Sequence, residues 1–425
     1  MNVQDARQQT VGELLRRTAR RDPDRLALVC GETRWTYADL DTRCDALARA
    51  LMRRGVAAGD RVAVLARNSH AFAALRFALA RAGAVLVPIN FMLKPPEIAF
   101  ILRNSGARVL CTDSGLAEAA RAGAALETKV ERFVWLPSEG ASEPAAGMET
   151  FEALLEEGAR ARDPFPALES THLLQIMYTS GTESLPKGAM LTHDAVIAEY
   201  VSCLATGGYD RGDTVLHALP LYHCAQLDCF LGPSIYLGAT NVVTAAPTPD
   251  SILSKVARHG VTSLFAPPTV WIALLRSSLF DQTDLRTLAK CFYGASIMPV
   301  AVLEEIQRRL PGARLWNFYG QTEIAPVATV LAPEDQLRKA GSAGKPVVNV
   351  ETRVVDDACN EVPRGTVGEI VHRSPQLMTG YFGDAARTAA AFEGGWFHSG
   401  DLGVMDAEGY ITVVDRKKDM IKTGG

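Results

Sequence analysis

The sequence lacks three features, and each absence excludes a class of protein. No two of its cysteines are separated by two residues, so the spacing typical of a structural zinc site is missing. It has no basic surplus, because 44 lysines and arginines face 48 aspartates and glutamates, which argues against nucleic-acid binding through phosphates. Its most apolar stretch, residues 71–93, contains Arg76 and Arg81, which argues against a transmembrane segment. Loose association with a membrane surface stays compatible with this composition.

Two further absences concern the compartment. The eight cysteines are scattered, and 425 residues can bury a large core without disulfide support. Residues 1–7 contain no apolar segment of the kind found in secretory signals. We therefore predict reduced, mostly buried thiols and a cytoplasmic protein.

What the sequence does contain is an alternation of short apolar runs with stretches of helical period. The predicted strands are residues 61–66, 85–89, 108–112, 214–219, 241–244, 262–266, 291–293 and 314–318, and the predicted helices include residues 71–82, 251–259 and 299–310. Strands that alternate with helices of this length form parallel sheets covered on both faces. The fold class predicted is α/β, with doubly wound, mostly parallel sheets.

The pattern changes after about residue 325, where the helices thin out. Residues 352–355, 368–372 and 410–414 are predicted strands, and residues 406–409 are a predicted hairpin turn. We predict α/β subdomains over about 1–324 and a smaller β-rich, barrel-like subdomain over about 325–414. The last residues, 415–425, run from a charged link to a glycine pair, which is a poor end for a folded element. We expect them to be a hinge that leads into a further domain of a longer protein.

The strongest local signal lies between residues 173 and 193. An apolar stretch is followed by a loop rich in threonine, serine and glycine, which also carries Lys187 and precedes a predicted helix. Hydroxyls and backbone N–H groups of such a loop bind phosphate oxygens, and a lysine adds positive charge. The loop is not a Walker A motif, because Pro186-Lys187-Gly188 stands where that motif has Gly-Lys-Ser/Thr. An ordinary polar turn between strand and helix is the structural alternative.

These residues also resemble a known family. Tyr178-Thr-Ser-Gly-Thr182, followed by Pro186-Lys-Gly188, is similar to the phosphate loop of the adenylate-forming superfamily of acyl-CoA synthetases, peptide-synthetase adenylation domains and firefly luciferases. Its other motifs follow in order: Leu219-Pro-Leu-Tyr-His223, Tyr293-Gly-Ala-Ser296, Asn317-Phe-Tyr-Gly-Gln-Thr-Glu323, Trp396-Phe-His-Ser-Gly-Asp401 and Asp415-Arg-Lys-Lys-Asp-Met-Ile-Lys422. Six ordered motifs cover essentially the whole chain. The resemblance implies two α/β sheets and, after the hinge, a C-terminal lid domain that this sequence does not contain.

The resemblance further implies a reaction. The family joins a carboxylic acid to ATP, which gives acyl-AMP and pyrophosphate, and a thiol, usually that of coenzyme A, then displaces AMP. The nucleotide-binding residues that it implies are Thr179, Ser180, Gly181, Thr182, Lys187, Gly188, Gly294, Ala295, Ser296, Asn317, Tyr319, Gly320, Thr322, Asp401 and Arg416. The implied catalytic residues are Lys187, His223, Thr322, Glu323 and Lys422.

Each implied role suits the chemistry of its side chain. Lys187 and the loop hydroxyls would hold the β- and γ-phosphates, and Thr322 would bind the α-phosphate. Glu323 would bind Mg²⁺, which prefers oxygen ligands. Asp401 would accept hydrogen bonds from the ribose hydroxyls, and Tyr319 would stack on adenine.

Other implied roles carry structural alternatives or departures. Arg416 would contact the ribose or α-phosphate from the hinge, and His223 would lie at the mouth of the acyl pocket, with a packed core histidine as its alternative. Glu183 and Ser184 stand where many relatives have Thr-Gly, which adds a negative charge near the triphosphate. The lysine that meets the carboxylate in relatives lies in the missing lid domain. We therefore expect this chain to bind ATP and acyl-AMP but to turn over poorly.

The acid is inferred from the segment after His223. Residues 224–236 are small or apolar, with Asp228 as the one charge, and they contain no arginine for a second carboxylate. An uncharged acid is favoured: a medium- or long-chain fatty acid first, and an aryl or branched acid second. Two further alternatives are an acyl-AMP ligase that serves a carrier protein and a binding module without catalysis. Relatives occur as monomers and homodimers.

Overall fold

The computed structural model describes residues 7, 9–140, 143–179 and 185–417. In chain order its strands are β1 (Leu26–Cys30), β2 (Thr33–Thr36), β3 (Arg61–Leu65), β4 (Val85–Pro88), β5 (Val109–Thr112), β6 (Arg132–Trp135), β7 (Glu149–Thr150), β8 (Leu173–Thr179), β9 (Lys187–Thr192), β10 (Thr214–His217), β11 (Thr240–Val243), β12 (Ser263–Phe265), β13 (Lys290–Gly294), β14 (Arg314–Gly320), β15 (Val327–Leu331), β16 (Lys345–Pro346), β17 (Glu351–Val355), β18 (Val367–Arg373), β19 (Gly380–Tyr381), β20 (Phe397–Met405) and β21 (Ile411–Arg416).

The α-helices complete the framework. They are α1 (Val11–Arg21), α2 (Tyr37–Arg53), α3 (His70–Ala82), α4 (Pro95–Ser105), α5 (Ala117–Ala124), α6 (Phe151–Arg160), α7 (His193–Thr206), α8 (Gly232–Leu237), α9 (Pro249–His259), α10 (Pro268–Arg276), α11 (Val300–Arg309) and α12 (Ala385–Ala391). A π-helix, Ala225–Leu231, leads directly into α8. Among the described residues, no helix combines the length and the apolar character that a membrane crossing requires.

The strands form three sheets, which confirms the predicted fold class. One sheet has the order β7-β6-β5-β3-β4-β8-β9-β19 and is parallel from β7 to β8. The second has the order β16-β15-β14-β13-β12-β10-β11-β1-β2 and is parallel from β14 to β1. The third, β17-β18-β20-β21, is antiparallel. The proposed domain boundaries stay a prediction.

Helix α3 explains why the most apolar stretch carries two arginines. All thirteen of its residues are buried, Ser69 caps its start and Gly83, with a φ of 71°, ends it. Both guanidinium groups find acids inside the protein, because Arg81 pairs with Asp41 and Asp45, and Arg76 pairs with Asp228. A buried charge is tolerated when it is paired in this way.

One local prediction is wrong. The phosphate loop was expected to lead into a helix, but Lys187 begins strand β9, which pairs antiparallel with β8 and brings Lys187 opposite Thr179. Helix α7 starts only at His193, where the side chain of Thr192 caps it. The residues between Gly188 and Thr192 are mostly buried on this second strand, and tertiary burial decides their conformation.

Buried histidines make stability depend on pH. Burial lowers the pKa of His193 and His372 to about 3 and that of His70 and His217 to about 4. The unfolded chain then binds more protons than the folded one between about pH 4 and 6.5, so the free energy of unfolding falls as pH falls through this window. In urea titrations at several pH values, His372→Gln should reduce this slope by up to about 1.4 kcal/mol per pH unit. The exposed control His172→Gln should not. Equal slopes in all three proteins would contradict the prediction.

Candidate active site

The predicted nucleotide residues are distributed over the two large sheets and the antiparallel sheet. Thr179 ends β8, Gly294 ends β13, and Gly320 ends β14, so these three lie at carboxyl ends of strands, where open α/β sheets bind ligands. Asp401 lies within β20 of the antiparallel sheet. The predicted residues Ser180, Gly181, Thr182 and Lys422, with the departures Glu183 and Ser184, lie outside the described residues.

Tyr381 connects two of the predicted phosphate-side residues. Its hydroxyl donates a hydrogen bond to Oε1 of Glu323 at 2.8 Å, and the Nζ atom of Lys187 lies 5.1 Å from the centre of its ring. Burial and the Glu323 carboxylate raise the pKa of Tyr381, so its hydroxyl stays protonated and donates. Strand β19, which carries Tyr381, pairs with β9, which carries Lys187. One tyrosine thus contacts both a predicted carboxylate and a predicted ammonium group.

The backbone of Glu323 is held in place as well. Glu323 lies in the 3₁₀ turn Thr322–Ile324 directly after β14, and its carbonyl accepts a hydrogen bond from the N–H of Met378 at 2.8 Å. It is only 8% exposed, so its position is restricted. A carboxylate oxygen is the kind of ligand that a hard divalent cation prefers, so the assignment of Glu323 as a magnesium ligand stays a prediction.

The residue after His223 in the chain contacts Thr322. The Sγ atom of Cys224 lies 3.3 Å from Oγ1 of Thr322. His223 itself is exposed, and its Nδ1 accepts a hydrogen bond from the N–H of Ala225 at 3.2 Å, which leaves the other ring nitrogen directed away from this local contact. The structure therefore does not place His223 in the core, which was its structural alternative.

The predicted nucleoside residues form a connected group. The hydroxyl of Tyr319 donates to Oδ2 of Asp401 at 2.7 Å, and Nε of Arg416 lies 3.2 Å from Oδ1 of the same carboxylate. Burial and Asp401 raise the pKa of Tyr319, so it too donates as a neutral phenol. Arg416 faces Asp401 across the β20–β21 pair and is largely exposed. The buried carboxylate of Asp401 thus lies between the ring of Tyr319 and the exposed guanidinium group of Arg416.

Close backbone approach explains two of the predicted glycines. A Cβ on Gly294 would lie 2.4 Å from the carbonyl oxygen of Phe318, and one on Gly320 would lie 1.9 Å from the carbonyl oxygen of Pro326. Ala295 and Ser296 follow Gly294 on the surface, and Ala295 has a positive φ of 65°. The predicted site residue Asn317 instead directs its Nδ2 to the carbonyl of Ser342 at 3.1 Å. Gly188 lies buried within the β8–β9 pair.

The segment predicted to border the acyl pocket contains one member of a buried charge pair. Asp228 in the π-helix is fully buried, and it accepts hydrogen bonds from Arg76 at 3.0 Å and from Gln175 at 2.7 Å. Both of its oxygens are thereby used, so Asp228 is not placed as a free counter-charge for an amino acid substrate. Sequence reasoning missed Arg76 as its partner because 152 residues separate them.

A second buried acid was also missed. Glu199 of α7 is fully buried, and its Oε1 accepts hydrogen bonds from Sγ of Cys229 at 3.1 Å and from the N–H of Val327 at 3.3 Å. Its Oε2 has no hydrogen-bond partner among the described atoms. Burial raises the pKa of Glu199, which favours the neutral form of this acid beside the π-helix. Its only sequence signal is an acid among the apolar residues of a helix.

Comparisons with known proteins identify the family. The model of the family described as AMP-binding enzyme matches residues 15–382. A feruloyl-CoA synthase of Amycolatopsis sp is 36% identical over 419 residues, which cover 99% of this chain and 81% of that protein. A long-chain-fatty-acid–CoA ligase of Salmonella typhimurium is 32% identical over 448 residues, which cover 99% and 79%.

A solved structure extends the likeness to three dimensions. The inhibitor-bound N-terminal domain of FACL13 from Mycobacterium tuberculosis superposes with a TM-score of 0.87 at 31% identity, over 96% of this chain and 99% of that one. Sequence and fold thus agree over nearly the full length. The chain belongs to the AMP-binding enzyme family, among its AMP-forming acid–CoA ligases.

Proposed function

We propose that this chain activates an uncharged carboxylic acid with ATP and transfers the acyl group to coenzyme A. The single observation that carries the proposal is that β14 and the turn after it hold two groups: Tyr319, which is hydrogen-bonded to Asp401, and Glu323, which is hydrogen-bonded to Tyr381. The Tyr381 ring also lies near Lys187. The first group suits a nucleoside, and the second suits a polyphosphate. In the first step a carboxylate oxygen bonds to the α-phosphorus and pyrophosphate leaves. In the second step the thiol sulfur bonds to the carbonyl carbon and AMP leaves with the electron pair.

The phosphate side neutralises charge, which dominates phosphoryl-transfer chemistry. Lys187 holds the β- and γ-phosphates, together with Thr179 and the loop residues that follow it. Thr322 donates its hydroxyl to the α-phosphate, and Glu323 would hold Mg²⁺, which supplies positive charge to the phosphate oxygens when bound. Tyr381 keeps Glu323 oriented by its hydrogen bond.

The nucleoside side binds by shape and by hydrogen bonds. Asp401 accepts from both ribose hydroxyls, Tyr319 covers the adenine ring, and Arg416 stays close to the ribose and α-phosphate. Gly294, Ala295, Ser296 and Gly320 leave room for the purine because the two strand ends carry little side-chain volume. His223 is exposed, and its neighbour Cys224 contacts Thr322, so His223 is assigned to the entrance for acid and thiol.

The acid is proposed to be a medium- or long-chain fatty acid. Asp228 and Arg76 neutralise each other beside the π-helix, so neither is available for a second carboxylate or an amino group. The neighbouring core is apolar, and the Phe230 ring contacts those of Phe265 and Phe292. An apolar chain gains affinity there in proportion to its buried area.

An aryl acid with a polar substituent is the second candidate. Glu199 favours it, because a buried neutral carboxyl with an unpartnered oxygen would pair with a phenol or amine hydrogen. The feruloyl-CoA synthase among the relatives is named for an acid of this kind. The seven buried free cysteines support a reducing compartment, which we propose to be the cytoplasm.

Non-hydrolysable acyl-AMP mimics test the proposal. Binding to the folded state raises the melting temperature by mass action, and ligand at a hundred times its Kd adds about 2.7 kcal/mol. Mimics of acetate, octanoate, palmitate and ferulate should all stabilise the chain, with AMP alone as the reference for the nucleotide half. A shift that grows with chain length supports a fatty acid, and a largest shift with the feruloyl mimic supports the aryl candidate. No shift with any mimic or with AMP would overturn the proposal.

A further inference from the structure

Cys359 differs from the other cysteines in exposure. All eight cysteines lie in the described part of the chain, and seven of them are buried, with at most 3% of their surface exposed. Cys359 is partly exposed and lies in the turn between β17 and β18. In folded protein it is therefore the thiol that a small reagent reaches first.

The surroundings of Cys359 are those of an activated thiol. Its Sγ lies 3.7 Å from Nε2 of His398, and Nδ1 of the same ring lies 3.1 Å from Oε2 of Glu369. A nucleophile, an imidazole and an orienting carboxylate thus follow one another in space, although 39 residues separate Cys359 from His398. Glu369 and His398 are both largely buried, with 7% and 15% of their side chains exposed.

Both ring nitrogens of His398 face oxygen atoms that accept hydrogen bonds. Nδ1 faces a carboxylate oxygen of Glu369, and Nε2 lies 3.1 Å from the carbonyl oxygen of Glu393. Both oxygens accept, so only a ring that carries protons on both nitrogens donates to both. An imidazolium beside a sulfur atom favours the thiolate, which is the reactive form of cysteine.

Other charged groups surround the site. Burial alone would raise the pKa of Glu369, but hydrogen bonds from Lys417 and His398 outweigh it and lower the pKa. Nζ of Lys417 lies 2.9 Å from Glu369 and 3.2 Å from Asp357, which belongs to the turn of Cys359. The acids Glu369 and Asp357 are thus both paired with Lys417.

We propose that Cys359, His398 and Glu369 form a modification site at which Cys359 reacts with small disulfides. The thiol first loses its proton to solvent, and the Sγ thiolate then attacks one sulfur of the disulfide. A new S–S bond forms, the original S–S bond breaks, and the other half leaves as a thiolate. His398 stabilises the attacking thiolate and is not consumed.

Modification of Cys359 also affects the residues proposed to bind the nucleotide. This consequence rests on the proposed function of Asp401. The second oxygen of Glu369, Oε1, accepts a hydrogen bond from the N–H of Gly400 at 3.2 Å, directly before Asp401. Lys417 is bound to Glu369 and follows Arg416, the partner of Asp401. A group attached to Cys359 displaces His398, and Glu369 carries the change to both neighbours of the Asp401 carboxylate. Nucleotide affinity therefore falls when Cys359 is modified.

The aromatic disulfide 5,5′-dithiobis(2-nitrobenzoate) tests the reactivity. At pH 7 the folded chain should show one fast thiol, and the chain unfolded in guanidinium should show eight. The fast phase should vanish in Cys359→Ser, and in His398→Gln it should slow by about five- to tenfold, most strongly at low pH. Mass mapping of wild-type protein after brief iodoacetamide treatment should find the label on Cys359, which keeps the test valid if a variant misfolds. A fast phase in Cys359→Ser, or equal rates at all pH values in His398→Gln, would overturn the proposal.

AMP binding tests the coupling. Calorimetry on wild-type chain before and after the disulfide treatment should show an affinity loss of about fivefold or more. Treated Cys359→Ser should keep the untreated affinity. Equal affinity in treated and untreated wild type would overturn the coupling alone. Failure of the untreated chain to bind AMP would count against the proposed function and leave the thiol result standing.

Discussion

Asp401→Asn is expected to weaken binding of AMP and of acyl-AMP mimics by about a hundredfold or more, because two charge-assisted hydrogen bonds are lost. In the folded chain the Asp401 carboxylate is buried, accepts from Tyr319 and pairs with Arg416. Under the proposed function it also accepts both ribose hydroxyls, and an asparagine amide accepts at only one atom. Isothermal titration with AMP and with a mimic measures the change.

A matched control tests whether the effect comes from the Asp401 carboxylate or from the loss of any negative charge on this sheet. Glu351 is an exposed acid on β17 of the same antiparallel sheet, and Glu351→Gln removes one negative charge far from Tyr319. It should leave the Kd of AMP unchanged. Circular dichroism of Asp401→Asn checks that the sheet is intact. An affinity for AMP that stays within twofold of the wild type would remove Asp401 from the nucleotide site.

Asp228→Leu is expected to lower the free energy of unfolding by about 3–5 kcal/mol, since it leaves a buried guanidinium without its counter-charge. Arg76 is 1% exposed, and its Nε and Nη1 atoms already have no hydrogen-bond partner among the described atoms. The Nη2–Asp228 bond therefore carries most of the compensation for that charge. Urea denaturation followed by tryptophan fluorescence measures the loss.

The double variant Arg76→Met with Asp228→Leu should recover most of this stability, because the charge itself is then removed and apolar side chains fill the space. The exposed pair Arg108–Glu131 provides the contrast, since solvent screens it, and Glu131→Leu should produce no measurable change. A double variant as unstable as Asp228→Leu would show that packing, and not the uncompensated charge, dominates at this position.

Much of the fold was readable because its signals are local. The strands β3, β4, β5 and β14 and the helices α3, α9 and α11 follow from apolar periods and from caps such as Ser69 and Gly83. The sequence did not predict strand β9, because residues 188–192 are compatible both with a loop and with a strand paired to β8. That choice depends on the neighbouring strand, which lies outside any short window.

The candidate site also contains residues that local motifs predict and one that only the fold reveals. Lys187, Thr322, Glu323 and Asp401 stand in short motifs that resemble the family, so their residue types and order were available at once. Tyr381 was not, because 58 residues separate it from Glu323 and only the pairing of β19 with β9 brings its hydroxyl there.

The sequence by itself determined the family, the α/β class and most of the residues proposed to bind the nucleotide, since each is encoded in periods or motifs of a few residues. The tertiary structure alone decided which groups meet: Tyr319 with Asp401, Arg76 with Asp228, and Cys359 with His398. These pairs join residues far apart in the chain. A hydrogen bond or ion pair forms only when folding has brought both partners within about 3–4 Å, a condition that no local pattern encodes.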